Sequence, residues 1–341
     1  MTLIFEVEDT LKSESVYISD CMVSYEGQRI MRPNRFPLHE GSGWTIDTAG
    51  VGLNSKMCLS RDRAILSAGK VCRIKDVVSE FSTIPTLEDF RNFLDVYYEN
   101  KDSTDEFIYT ARSGERTFAS GTNCLQFSSG HLNFYAGGSG AQYLKDEVVG
   151  PRSPDREFPV SVLAYQLLAM IIQREFKDYN FRENLFGGAY EVGVADKSGF
   201  RRLPYTIIDS LCDTNIAIDG AYELQKRNIQ RLIFCCPYRN GSVFILAAAT
   251  ETGQMTWYHA QDLESPDREK LSDDVIEGLL LSHNAEFTIS LLRHQDVNFA
   301  AFNKDFVDID MLDGDSLSID VDLDSLQRCE LDYIPQGPSK E

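Results

Sequence analysis

Thr2, directly behind the leading Met1, carries the simplest chemistry available in this 341-residue chain. Threonine is small enough for an initiator methionine to be trimmed, which would place a hydroxyl and a free α-amine on one residue. Such an amine titrates at roughly 7.7–8.0, so at neutral pH it can act as general base for its own hydroxyl, usually through a water. Thr2 alone is therefore a minimal nucleophile, suited to acyl transfer.

Other constellations carry less. The Gly137-Gly138-Ser139-Gly140 run lacks the spacing of a nucleophile elbow, and Gly69-Lys70 lacks both the upstream glycine and the following Ser or Thr of a phosphate-binding loop. Asp308, Asp310, Asp313 and Asp315 suggest a calcium loop, but the twelfth position counted from Asp308 is Ile319, where a bidentate glutamate is needed. Apolar alternation already accounts for them as the wet face of a strand. His39, His131, His259, His283 and His294 are dispersed and read as structural or surface residues. The eight cysteines form no CxxC pair and have no histidine at metal-ligand spacing. They read as reduced thiols, and neither metal nor cofactor is expected.

The elements that must position a nucleophile at residue 2 begin at once. Leu3, Phe5 and Val7, then Val16 and Ile18, alternate as two short strands joined by the polar stretch Glu8 to Ser15. Residues 27 to 50, with Pro33, Pro37 and Gly41-Ser42-Gly43, read as a long surface loop. A buried strand is predicted over Arg63 to Ser67, a tight turn at Ala68-Gly69, and a helix through Val71, Ile74, Val77, Val78 and Phe81. A second helix over 86–100 opens on Thr86 and Asp89, a relative of the capping box. Strands follow at 106–112, 123–128 and 132–136, then a helical stretch opening on Gly137 to Gly140 and a long helix at about 160–176. AYEVGVAD and FRRLPYTII are two further strands. In the order strands, helix pair, strands, helix pair, strands, two antiparallel sheets can stack with helices on their outer faces. The predicted class is α+β, a four-layer α/β/β/α sandwich.

Composition bounds what this scaffold can meet. The chain has 33 Lys and Arg against 53 Asp and Glu, a net charge of -20. That argues against nucleic acid and against electrostatic docking on anionic membranes. No apolar run approaches the roughly 18–20 residues of a membrane span. The first residues lack a basic n-region, so a cytoplasmic location is expected. From Met1 to Ile208 there are 23 basic and 28 acidic residues; from Asp209 onward there are 10 and 25. The imbalance divides the chain into a domain at 2–207 and an acidic accessory segment at 208–341. In the latter, RLIFCCPY, SVFILAAAT and QMTWYHA read as a β-meander, Leu271 to Leu292 as a helix, and the stretches around Asp313-Gly314 as a terminal hairpin.

Four stretches, in order, resemble the proteasome β-subunit family and its bacterial relatives within the amino-terminal nucleophile hydrolase fold. They are TLIFEVE with VYISD, RDRAILSAGKVCRIKDVVSEF, LNFYAGGSGAQYL and FGGAYEVGVADKSGFRRL, together spanning about residues 2 to 206. The resemblance implies Thr2 as nucleophile, Asp20 as the acidic residue closing the second strand, and Lys56 as the catalytic lysine whose ammonium lowers the pKa of the Thr2 hydroxyl. It implies Gly69 as the backbone oxyanion donor and Glu183 as the carboxylate orienting the amine. The chain departs from the family at Met22, where an Arg is common, at Ala141 and Phe186, each in place of a Ser, and at Glu183, in place of an Asp. The Asp20 to Lys56 interval is roughly twice the family's.

The function implied is a threonine-type peptidase that cleaves peptides or unfolded proteins through an acyl-enzyme ester, assembled as a homo-oligomeric ring. Two alternatives stand beside it: a non-catalytic scaffold or binding protein on the same fold, and a small-molecule amidase using the same nucleophile.

Overall fold

The structure, a computed structural model, describes residues 2–25, 50–53, 55–69, 77, 80–81, 84–100, 105–112, 116–119, 124–149, 159–177, 186, 190–211, 221–224, 229–238, 241–249, 255–260, 287–294, 297–302, 307–312 and 316–322. The chain opens with the expected hairpin, β1 (Ile4–Asp9) and β2 (Glu14–Asp20), in which Ile4 faces Ser19 and Val7 faces Val16. Asp9 closes the turn, its Oδ1 accepting the Leu11 and Lys12 N–H groups at 3.0 and 3.2 Å. A short pair follows, β3 (Met22–Tyr25) and β4 (Gly50–Leu53), antiparallel with Met22 opposite Leu53. Apart from Gly50, the stretch read as a long loop lies outside the described residues.

Next come β5 (Met57–Leu59), β6 (Arg63–Ala68), α1 (Leu87–Asn100), β7 (Glu106–Ala111) and β8 (Arg116–Ala119). These four strands form an antiparallel sheet in the order β5-β6-β7-β8. The helix expected from Val71 to Phe81 lies largely outside the described residues, although Val77 is helical and buried. Then follow β9 (Leu125–Ser129), β10 (Leu132–Gly137), α2 (Ala141–Tyr143) running into a π-helical stretch at Leu144–Val149, α3 (Val160–Lys177), β11 (Tyr190–Asp196) and β12 (Gly199–Arg202). A six-stranded antiparallel sheet results, ordered β12-β11-β2-β1-β10-β9. The domain is thus α+β, with two antiparallel sheets and a few helices.

Strand alternation explains how these elements pack. Phe5, Val7, Val16, Ile18, Phe134, Val192 and Val194 share a cluster with Leu163, Ala164, Leu167, Leu168, Ile171 and Ile172 of α3. Their opposite-facing neighbours Ile4 and Tyr17 join Met57, Ala64, Leu66 and Ile108 of the other sheet. Ile65, Phe107 and Tyr109 turn away from these and meet Leu87, Phe90 and Leu94 of α1, with the Phe90 and Tyr109 rings stacked at 4.8 Å. Each such buried Leu, Ile or Phe contributes about 1.5–3 kcal/mol. The N-terminus of α1 is capped as its sequence predicts: Asp89 N–H donates to Thr86 Oγ1 at 3.1 Å and Thr86 N–H to Asp89 Oδ2 at 3.2 Å.

FRRLPYTII is two strands rather than the single one expected. The chain leaves the first sheet at Leu203-Pro204, because proline has no N–H to give to a ladder, and β13 (Tyr205–Leu211) enters another sheet. Also in the tail are β14 (Ala221–Leu224), β15 (Ile229–Tyr238), β16 (Gly241–Ala249), β17 (Met255–Ala260), β18 (Phe287–His294), β19 (Val297–Phe302), β20 (Val307–Leu312) and β21 (Ser316–Asp322). The meander β15-β16-β17 and the terminal hairpin β20-β21, with Met311 opposite Leu317, form as expected. Of the helix expected over Leu271 to Leu292, residues 271–286 lie outside the described residues, and residues 287–294 are strand rather than helix: they form β18, paired parallel with β13 and antiparallel with β19. Phe287, Ile289 and Leu291 alternate, and a distant pairing partner decides between strand and helix where periodicity alone is ambiguous.

Candidate functional site

Thr2 lies two residues ahead of β1 and is held by both sides of its peptide. Its N–H donates to Ser139 Oγ at 3.1 Å, and its carbonyl accepts the Gly140 N–H at 3.1 Å. These contacts come from the turn after β10, the strand that pairs with β1 so that Ile4 faces Gly137. Gly138 makes the close approach possible. It has φ +82, and a Cβ there would stand 2.1 Å from the Thr2 carbonyl oxygen.

Across the hairpin, Asp20 ends β2 fully buried and is locked to Leu3, whose N–H donates to Asp20 Oδ1 at 2.8 Å. The Asp20 N–H returns a bond to the Leu3 carbonyl at 2.9 Å. Lys56 stands immediately ahead of β5, 4% exposed. Its ammonium donates to Asp20 Oδ1 at 2.8 Å and to Thr2 Oγ1 at 3.1 Å. Hydroxyl, ammonium and carboxylate thus form one buried chain of charge-assisted hydrogen bonds, which joins three of the five residues that the resemblance implies. A cation in direct contact with Oγ1 favours any negative charge that develops there.

Gly69 follows β6 in the sheet that carries Lys56. Ser67, two residues before it, donates its N–H to the Lys56 carbonyl at 2.9 Å. Gly69 has φ +142, and a Cβ at that position would fall 1.9 Å from Asp105 Oδ1, so only glycine fits. Glu183 lies outside the described residues. Of the residues at which the resemblance breaks, Ala141 is buried at the start of α2, while Met22 pairs with Leu53 in β3-β4. Phe186 is buried against Gly140 and the Tyr143 ring, an apolar packing.

Three polar residues at the site were missed in the sequence. Ser139, exposed to solvent, is the partner of the Thr2 N–H; the Gly-Gly-Ser-Gly run was legible only as the opening of a helix. Glu106, buried in β7, accepts the Gly138 N–H at 2.5 Å and so ties one sheet to the turn that grips Thr2. Glu191, buried in β11, accepts the Lys56 N–H at 2.7 Å. For Glu191 the available signal was an acidic residue inside a largely apolar strand, whereas Glu106 opens β7 and gave no such signal.

Among the described residues no group of three His, Cys, Asp or Glu side chains could hold a metal ion, and no helix is long and apolar enough to cross a membrane. The chain matches no family model and no curated protein sequence.

Proposed function

We propose that this protein is a proteasome-like, threonine-type peptidase whose nucleophile is Thr2 after removal of Met1. The observation that carries the reading is the Lys56 ammonium, 3.1 Å from Thr2 Oγ1 and 2.8 Å from Asp20 Oδ1, with all three side chains buried. Thr2 Oγ1 attacks the carbonyl carbon of a peptide bond while its proton passes, through a water, to the free α-amine. Lys56 stabilises the developing alkoxide, and Asp20 holds the Lys56 side chain in place. The Gly69 N–H takes the carbonyl oxyanion. The C–N bond then breaks, the amine leaves with the proton, and water hydrolyses the Thr2 ester. Glu183 orients the α-amine, and Ser139, already in contact with the Thr2 nitrogen, joins it.

The packing supports a four-layer arrangement of α3, the six-stranded sheet, the four-stranded sheet and α1, in which apolar residues of β1 and β2 meet those of β5, β6 and β7. The subunits assemble as a cytoplasmic homo-oligomeric ring, with residues 208–341 as an acidic appendage. A panel of fluorogenic peptides tests the reading: turnover by the wild type, lost in Thr2→Ala, supports it, and equal signals defeat it. The apolar packing of Phe186 favours a second reading, a non-catalytic scaffold on the same fold, which predicts no turnover by either protein.

A further inference from the structure

Glu191 is fully buried in β11, in a strand whose other residues are apolar apart from its last. A carboxylate in such a place is retained only with donors around it. Glu191 Oε2 accepts the Lys56 N–H at 2.7 Å, the Met57 N–H at 3.0 Å and the Ser19 hydroxyl at 3.2 Å. Its Oε1 accepts the Ser55 hydroxyl at 2.6 Å and lies 3.4 Å from Arg202 Nη2. Arg202 also donates to the Met57 carbonyl. These donors have something in common. Ser55, Lys56 and Met57 are the segment that presents the ammonium, and Ser19 is the neighbour of Asp20.

We propose that Glu191 is the positioning residue of the Thr2 site, fixing the Lys56 backbone so that its ammonium reaches Thr2 Oγ1; the proposal rests on the reading of Thr2 and Lys56 as the reacting pair. One side of Lys56 is already anchored, since its carbonyl accepts the Ser67 N–H from β6. Glu191 anchors the other side through the N–H. With both peptide groups held, the side chain spans a fixed gap to a hydroxyl and a carboxylate that belong to the opposite sheet. A misplacement of about 1 Å at such a contact lowers rates on the order of 100-fold. Glutamine has the same shape and cannot substitute, because its NH2 group would face either two backbone N–H donors or the Arg202 guanidinium.

The test measures two things on the full chain: the rate at which a peptidyl β-lactone acylates Thr2, per folded molecule, and the NMR signal of the 15N-labelled Lys56 ammonium. Glu191→Gln is expected to slow acylation about 100-fold and to shift the Lys56 signal. In a Lys56→Ala background the same substitution is expected to change the rate less than about threefold, because residues acting as one unit are not additive. A purely structural Glu191 would instead slow both backgrounds alike. Should Glu191→Gln not fold, Glu191→Asp keeps the charge but withdraws the carboxylate from the Lys56 and Met57 N–H groups; slower acylation and a moved Lys56 signal are then expected. Wild-type rates with an unmoved Lys56 signal in either variant would overturn the proposal. If the wild type is not acylated but Glu191→Gln still moves the Lys56 signal, the positioning role stands and the nucleophile reading falls.

Discussion

Met22 and Leu53 are register partners across β3 and β4, so the chain that leaves Asp20 returns to deliver Lys56 beside it. Asp20 and Lys56 lie 36 apart in sequence, and the Lys56 Nζ stands 2.8 Å from Asp20 Oδ1. The long interval between Asp20 and Lys56 is therefore closed by the paired strands β3 and β4, which bring its two ends together. This geometry makes the charges at residues 20 and 56 the first targets for mutation.

Lys56→Met leaves the Asp20 carboxylate buried without its cation. Breaking a buried pair in this way costs about 3–5 kcal/mol, read as a lower urea midpoint, and Asp20→Asn added to it should restore part of the loss. Activity should fall by about 10²–10³, the loss that follows removal of one group stabilising a developing negative charge. Lys56→Arg should not rescue it, because the planar guanidinium cannot place a compact charge on both oxygens.

Ser139→Ala removes the oxygen that faces the Thr2 nitrogen. One hydrogen bond of about 0.5–1.5 kcal/mol is at stake, so kcat/KM should fall several-fold while the melting temperature changes little. A loss as deep as that of Thr2→Ala would give Ser139 a larger role than this geometry provides.

Gly69→Ala places a Cβ onto the Asp105 carboxylate and forces a non-glycine residue to φ +142. The strain alone amounts to about 1–3 kcal/mol. Adding Asp105→Ala should relieve the overlap, raising the melting temperature partway, while turnover stays low because the peptide that offers the oxyanion donor remains displaced. Full recovery of activity in the double variant would remove Gly69 from the mechanism.

The α-amine must be neutral to accept the hydroxyl proton. As pH rises the amine loses its charge, so kcat/KM should increase along that limb and level off once the amine is neutral. A pH profile flat from 6 to about 9 would contradict an amine base.

Local periodicity made much of this fold legible. The first hairpin, α1 with its Thr86 cap, α3, the meander and the terminal hairpin all follow from alternation, helical spacing or turn residues near in sequence. What failed was decided at a distance. Residues 287–292 read as helix because their strand character depends on β13, some eighty residues earlier. The site divides in the same way. Thr2 could be found from chemistry alone, whereas Asp20 and Lys56 emerged through family resemblance, since no local pattern announces a carboxylate and a lysine that meet through a hairpin. Glu191 stayed hidden in YEVGVAD, where Tyr190, Val192 and Val194 set an apolar face and only the sheet packing gives the intervening carboxylate its partners.

The most direct test of the central claim is the intact mass of the purified protein before and after exposure to a peptidyl β-lactone. The account predicts a chain without Met1 that gains one whole lactone as an ester on Thr2, ring opening expelling no leaving group, and no gain in Thr2→Ala. A chain that keeps Met1, or one labelled equally with and without the Thr2 hydroxyl, would contradict it.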